Sequence, residues 1–237
     1  MTSPLLHPRD HAWHPKALAP AYKSSVLRSP RQPLLSFGNT ATELTGPTFG
    51  PEIIGPLDHD LIRNFAAAEG SDASALGPRI LVHGQLKDEG DRPVPNALIE
   101  IWQANAGGRY RHVNDGYLAP LDPNFGGCGR CLTDDQGRYR FITIQPETVK
   151  PRPLEGQAPH VALWIVARGV NLGLNTRIYF PDEDNGSDPL LSLAGSRSET
   201  LIARRPDAEE DERDQGMPVY RFDIHIQGEQ ETVFIDV

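Results

Sequence analysis

Apolar and polar residues alternate with a period of two in several short runs of the chain. In ALIEIWQ, for example, the side chains of Ala97, Ile99 and Ile101 share one face. This period is typical of a strand that is buried on one side. The strand candidates are RILVHGQL, ALIEIWQA, YRFITI, HVALWIVAR, TRIYF, YRFDIHIQ and TVFIDV. Seven strands with Gly-, Pro- and Asn-containing turns and little helix predict an all-β fold, an antiparallel β-sandwich.

The run YRFDIHIQ has the most regular alternation. Strands of an antiparallel sheet with one buried face alternate in this way. The pattern predicts an inward face and an outward face. The inward residues are Tyr220, Phe222, Ile224 and Ile226, and the outward residues are Arg221, Asp223, His225 and Gln227.

The part of the chain before the first strand candidate is Pro-rich and irregular. Its one helical candidate is HDLIRNFAAAEG, which ends on Gly70, a residue type that commonly ends helices. We therefore predict a long irregular N-terminal arm with a short helix over residues 1–77, and a β-sandwich domain over residues 78–237. A β-rich chain of 237 residues fits one such domain.

The chain is acidic, with a net charge of −9 and a pI near 5.3. This charge argues against a nucleic-acid or anionic-membrane partner, and an anionic substrate would need a local cation. No apolar run approaches the ~18 residues of a membrane span, and the first residues lack the features of a secretory signal. The expected location is the cytoplasm.

Two cysteines form a single C-G-R-C motif, Cys128 and Cys131. A structural zinc site needs a second such pair, and no thioredoxin-like βαβ pattern surrounds this one. We interpret the motif as two thiols of a cytoplasmic protein.

A connection of more than thirty residues separates ALIEIWQ from YRFITI. Connections of that length inside compact domains are usually functional or disordered. This one is rich in Gly, Asn and aromatic residues, and it carries Tyr117. We expect it to be ordered and functional, without strand or helix periodicity.

The same connection carries a family resemblance. The text WQANAGGRYRHVNDGYLAPLDPNFGGCGRCLTDDQGRY resembles the beta chains of protocatechuate 3,4-dioxygenases, which are intradiol ring-cleavage dioxygenases. WHPKALAPAYKSSVLRSPRQPLLSF is similar to their N-terminal arm. After about residue 145, APHVALWIVARGVNLGLNTRIYF and YRFDIHIQGEQETVFIDV resemble the alpha chains of the same enzymes.

The resemblance implies a non-haem ferric site that cleaves protocatechuate to 3-carboxy-cis,cis-muconate with dioxygen, in aromatic catabolism. The family holds its iron with two tyrosines, two histidines and a hydroxide. Tyr117 matches the first tyrosine and His160 the first histidine. Tyr22 matches a pocket tyrosine that could bind the substrate carboxylate. Arg168 matches an alpha-chain arginine that contacts substrate in a neighbouring beta-chain site, and its cationic side chain suits a carboxylated catechol.

Two ligand positions depart from the family pattern. Ala162 stands where the second histidine belongs, and Val149 where the second tyrosine belongs. Two protein donors hold ferric iron poorly. We expect Tyr117 and His160 to converge, the chain alone to bind iron weakly, and Val149→Tyr with Ala162→His to raise iron occupancy.

Three functions stay open at this point. The chain could be a dioxygenase chain with an incomplete iron site, which assembles with alpha or beta chains of the family or with itself. It could be a non-catalytic, alpha-like structural subunit of the same enzyme. A transthyretin-like binding module is the third option, and only the strand pattern supports it. Judged without the resemblance, Tyr117 and His160 also fit a loop aromatic and a strand-end histidine.

Overall fold

Strands dominate the computed structural model, which describes residues 18–32, 35–36, 54–148, 156–186, 188–206 and 216–236. The described strands are β1 (Leu35–Ser36), β2 (Arg79–Lys87), β3 (Leu98–Gln103), β4 (Cys128–Leu132), β5 (Arg138–Ile144), β6 (His160–Val166), β7 (Leu174–Tyr179), β8 (Val219–Arg221), β9 (Ile224–His225) and β10 (Ile235–Asp236). The described helices are α1 (Lys23–Leu27), α2 (Asn64–Ala68), α3 (Pro189–Ala194) and the 3-10 helix Gly195–Leu201.

The strands form two sheets. One has six strands in the order β1-β10-β7-β6-β3-β4, and the other has the order β5-β2-β8, with β9 also paired to β2. Most pairs are antiparallel, but β1 pairs with β10 in parallel, as do β8 and β9 with β2. The sequence therefore predicted the all-β class, while the parallel pairs depart from a purely antiparallel sheet.

The main core draws on both sheets, because alternate residues of each strand face the other sheet. Ile99 and Ile101 of β3 lie in the same buried cluster as Ile80 of β2 and Phe141 of β5. The opposite face of β3 carries Glu100 and Trp102, and that face supports the candidate site.

The structure confirms the four core residues predicted in YRFDIHIQ, but this run does not form one continuous strand. Its four inward residues are all buried in the main core. The strand is interrupted after Arg221 because the Asp223 carboxylate, rather than a backbone carbonyl, accepts the Gln85 N–H at 3.0 Å. The outward prediction for Gln227 is wrong, since this residue is 3% exposed. Its amide lies against the carbonyl oxygens of Leu27 and Ser29 in the arm.

The long connection after β3 is ordered, as predicted, but it ends in a strand that the sequence did not predict. Strand β4 pairs with β3 in antiparallel register, with Cys128 opposite Trp102 and Cys131 opposite Ile99. Its sequence, CGRCL, lacks the aliphatic alternation that marked the other strands. The irregular part of the connection is therefore residues 104–127, here named the excursion.

The segment before residue 78 contributes to the core. Leu61, Ile62 and Ala75 lie in the main buried cluster, and Ala66 is also buried. The predicted helix is present as α2, shorter than its pattern, and Gly70 has a φ of 74° just after it. The division at residue 77 stays a prediction. In the described part of the chain, no helix has the length and apolar character needed to cross a membrane.

Candidate functional site

The candidate site lies on the outer face of the six-stranded sheet, where strand β6 begins. His160 is the first residue of β6 and pairs with Tyr179 of β7. Two residues further along the same face, Ala162 pairs with Arg177 on one side and with Trp102 on the other. These side chains share a face because strand residues two positions apart point the same way.

His160 is 1% exposed, and both of its ring nitrogens have hydrogen-bond partners. Its Nδ1 lies 2.8 Å from the carbonyl oxygen of Ala158. A carbonyl oxygen only accepts, so Nδ1 carries a proton, and the neutral tautomer with this proton has its lone pair on Nε2. Nε2 lies 3.1 Å from the hydroxyl of Tyr110, which donates to that lone pair.

Asp115 connects Tyr110 to Tyr117. Its Oδ2 accepts the Tyr110 N–H at 2.8 Å, and its Oδ1 accepts the Tyr117 N–H at 2.9 Å. The Tyr110 ring stacks on Trp102 with centroids 5.8 Å apart. Tyr117, which is partly exposed, and the buried His160 are therefore both arranged around Tyr110. Their close convergence stays a prediction.

Polar side chains fix the excursion that carries these tyrosines. Asn105 Oδ1 accepts the N–H groups of Gly107 and Arg109 at 2.9 and 3.0 Å, and its amide donates to the Pro120 carbonyl at 3.0 Å. Arg111 donates to the Phe125 carbonyl at 2.8 Å and lies 4.4 Å above the Phe65 ring. An ordered loop of this kind holds side chains in place as a site requires.

Asp188 anchors the other side of the site. This carboxylate is completely buried and begins helix α3, where Oδ1 accepts the N–H groups of Leu190 and Leu191 at 2.9 and 3.3 Å. Oδ2 accepts the Ala158 N–H at 3.0 Å. The carbonyl of Ala158 in turn orients His160, so Asp188 positions the imidazole through one peptide unit.

Arg177 places a positive charge in the same region. It is 2% exposed and donates to the Tyr179 hydroxyl at 3.3 Å, and that hydroxyl donates to Asp188 at 3.0 Å. Burial raises the pKa of Tyr179, and the Arg177 charge opposes this shift only in part. Tyr179 is therefore a neutral phenol whose hydroxyl connects a buried cation to a buried anion.

The other two predicted site residues lie at the far end of strand β6. Arg168 follows β6 and is exposed, and its carbonyl accepts a bond from Arg28 at 2.9 Å. Tyr22 is 46% exposed and immediately precedes α1, whose Ser24 lies against Gly169. From the first to the last residue of β6 the strand rises roughly 20 Å. The structure thus places Arg168 at the opposite end of β6 from His160.

The two cysteines do not form a site of their own. They lie three residues apart on β4, so their side chains point to opposite faces, and both are free thiols. Cys128 donates to Glu100 at 3.3 Å, and burial raises the pKa of Glu100 to about 7. Burial also raises the pKa of Cys131 to about 12, which makes it a poor thiolate nucleophile.

Comparison of the sequence with known proteins identifies the family. A family model described as "Dioxygenase" matches residues 44–228, and one for the N-terminal part of the protocatechuate 3,4-dioxygenase beta subunit matches residues 7–40. The beta chain of this enzyme from Burkholderia cepacia is 39% identical over 236 residues, which is 98% of each chain. The chain belongs to the intradiol ring-cleavage dioxygenase family.

Alpha chains of the same family are similar as well. The alpha chain of protocatechuate 3,4-dioxygenase from Pseudomonas putida is 40% identical over 167 residues, covering 68% of this chain and 78% of that relative. Hydroxyquinol 1,2-dioxygenase from Pseudomonas putida DLL-E4 shares the fold, with a TM-score of 0.54 at 22% identity, covering 84% of this chain and 69% of that chain.

The described residues do not fit the ferric ion of an intradiol dioxygenase. Only Tyr117 and His160 remain of the four implied protein donors, and the His160 lone pair already accepts from Tyr110. Ala162 has no donor atom, and its cross-strand neighbour is the buried cation Arg177. Val149 lies outside the described residues, and its side chain has no donor either. No group of three or more His, Cys, Asp or Glu is arranged for a metal in the described part.

Sequence reasoning missed three residues of this site. Tyr110 carries no local signal, because its role depends on His160 of the distant strand β6. Asp188 followed by Pro189 has the pattern of a helix N-cap, but its bonds to Ala158 and Tyr179 depend on the tertiary fold. Arg177 did leave a signal, since TRIYF places a charged residue inside a strand candidate, just before the apolar run Ile178–Phe180. A charged residue at such a position is buried only with compensating partners.

Proposed function

We propose that this chain is a subunit of a protocatechuate 3,4-dioxygenase-type enzyme and that its own metal site is incomplete. Ring cleavage of a carboxylated catechol with dioxygen then takes place at a complete site on another chain of the assembly. The observation that carries this proposal is the pairing of Ala162 with buried Arg177 next to His160. The candidate site of this chain performs no catalytic step in this proposal.

Two exposed residues at the far end of β6 support a contribution of this chain to the substrate site of a neighbouring chain. Tyr22 and Arg168 are both exposed there, and α1 fixes their relation through the Arg28–Arg168 bond. They lie too far from His160 to act on one small substrate within this chain. A guanidinium and a phenol that face another chain suit the carboxylate of its substrate. Similarity to both alpha and beta chains supports such an assembly.

A non-catalytic structural subunit is the second candidate. The network of Arg177, Tyr179 and Asp188 favours it, because a buried cation and anion joined by a phenol contribute to a fixed fold rather than to ligand binding. The two candidates differ in one respect. Only the first requires exposed residues of this chain to contact substrate.

The purified natural chain is expected to contain less than about one tenth of an iron per chain, since it retains only two of the implied donors. It should be colourless, without the visible charge-transfer band of a ferric tyrosinate, and should consume no oxygen with protocatechuate. Metal analysis, a visible spectrum and an oxygen electrode test this expectation. A chain that purifies with stoichiometric iron and cleaves protocatechuate contradicts the proposal.

Arg168→Ala distinguishes the two candidates in an assembly with a family chain that has all four iron ligands. Loss of a charge-assisted hydrogen bond costs about 1.5–3 kcal/mol, so we expect KM for protocatechuate to rise at least about tenfold, with iron content unchanged. Arg79→Ala, which removes an exposed charge at the start of β2, is the matched control. Equal KM values for the two variants would leave the structural-subunit role as the better explanation.

A further inference from the structure

Arg177 occupies an unusual position for a charged residue. It lies inside strand β7 of the six-stranded sheet, 2% exposed, and is one of the largest fully buried side chains among the described residues. Its cross-strand neighbour Ala162 is among the smallest side chains. Directly paired residues have Cβ atoms about 4.5–5.5 Å apart. A large group at position 162 would therefore compete with the Arg177 side chain for space.

The guanidinium also brings a permanent charge into this region. Arginine stays protonated at any pH that a folded protein tolerates. Burial of the charge is compensated through the Tyr179 hydroxyl, which passes the interaction on to Asp188. A metal ion bound beside Ala162 and His160 would lie next to this cation. Repulsion grows with the product of the charges, so a trivalent ion is disfavoured three times as strongly as a monovalent one.

We propose that Arg177 is a metal-excluding residue, whose buried guanidinium supplies the positive charge that a metal ion would otherwise bring to the candidate site. This inference rests on the proposed function. It also goes beyond the loss of ligands, because it assigns the exclusion to a group that is present. Restoring a ligand at position 162 is therefore not sufficient for metal binding while Arg177 remains.

The experiment compares three variants that all carry Ala162→His, which adds a third protein donor beside Tyr117 and His160. The first keeps Arg177, the second adds Arg177→Gln, and the third adds Arg177→Lys. Gln and Lys both remove the planar guanidinium, but only Gln removes the charge. Each protein is incubated with ferric citrate and desalted, and iron per chain is measured together with the visible spectrum.

We expect the Gln variant to hold at least about tenfold more iron than the Arg variant and to show the stronger charge-transfer band. The Lys variant should stay near the Arg variant. Arg177→Gln in the otherwise natural chain should remain without iron, because the added histidine is missing. Near-ultraviolet circular dichroism and Tm verify that each variant is folded.

Equal iron contents in the Arg and Gln variants, whether high or low, overturn the inference, and so does a Lys variant that binds as much as Gln. If the variant with Ala162→His and Arg177→Gln does not fold, Asp188→Asn is added to it, because this change removes the buried negative charge as well. The resulting protein should again hold at least about tenfold more iron than the Arg variant. Failure of the proposed function and failure of this inference give different results. Iron in the natural chain contradicts the proposed function, whereas iron only in the Ala162→His variant with Arg177 intact contradicts this inference alone.

Discussion

Replacing Asp188 by alanine is expected to lower the free energy of unfolding by about 3–5 kcal/mol. The carboxylate is completely buried and accepts four hydrogen bonds, from the N–H groups of Ala158, Leu190 and Leu191 and from the Tyr179 hydroxyl. Loss of a helix N-cap alone costs about 1 kcal/mol. Each buried donor left without a partner adds about 1–3 kcal/mol, and Arg177 loses its nearby countercharge.

Urea denaturation of the natural chain and the variant measures this loss. Asp184→Ala is the matched control, because Asp184 is an exposed carboxylate of the same loop that accepts one bond, from the Gly186 N–H at 3.1 Å. Its effect should stay within about 0.5 kcal/mol. Asp188→Asn keeps one accepting oxygen and should fall between the two. A loss below about 1 kcal/mol for Asp188→Ala would show that the network contributes little to stability.

The second large effect is expected at Gly84, in the middle of strand β2. A Cβ at this position would lie 1.8 Å from the carbonyl oxygen of Phe222 and 3.0 Å from the Tyr139 hydroxyl. That carbonyl also accepts a hydrogen bond from Tyr139 at 2.5 Å. The contact is with backbone rather than with the end of a flexible side chain. Gly84→Ala should therefore separate β2 from the chain around Phe222 and cost about 3 kcal/mol.

Thermal and urea unfolding of Gly84→Ala provide the measurement. Gly116→Ala is the control, because among the described residues, apart from its two chain neighbours, no atom lies within 4 Å of the added methyl group. We expect Tm to fall by several degrees for Gly84→Ala and to change little for Gly116→Ala. Equal stability of the two variants would mean that the close approach at Phe222 relaxes without cost.

Where alternation is regular, local sequence patterns predicted which residues face the core. The four inward residues of YRFDIHIQ are buried because a period of two places them on one face whatever the partner strand is. Strand β4 was missed because CGRCL has no such period, and pairing with β3 alone makes it a strand. Gln227 was misplaced because the arm, distant in sequence, covers it.

By itself, the sequence determined the all-β class, the family and the absence of a side-chain donor at Ala162, since these depend on residue identity and short-range order. The tertiary structure decided where charge lies. Arg177 becomes a buried neighbour of Ala162 only through the pairing of β6 with β7. The same strand separates Arg168 from His160 by its length. Register and burial arise from contacts between distant segments, so no local pattern could have specified them.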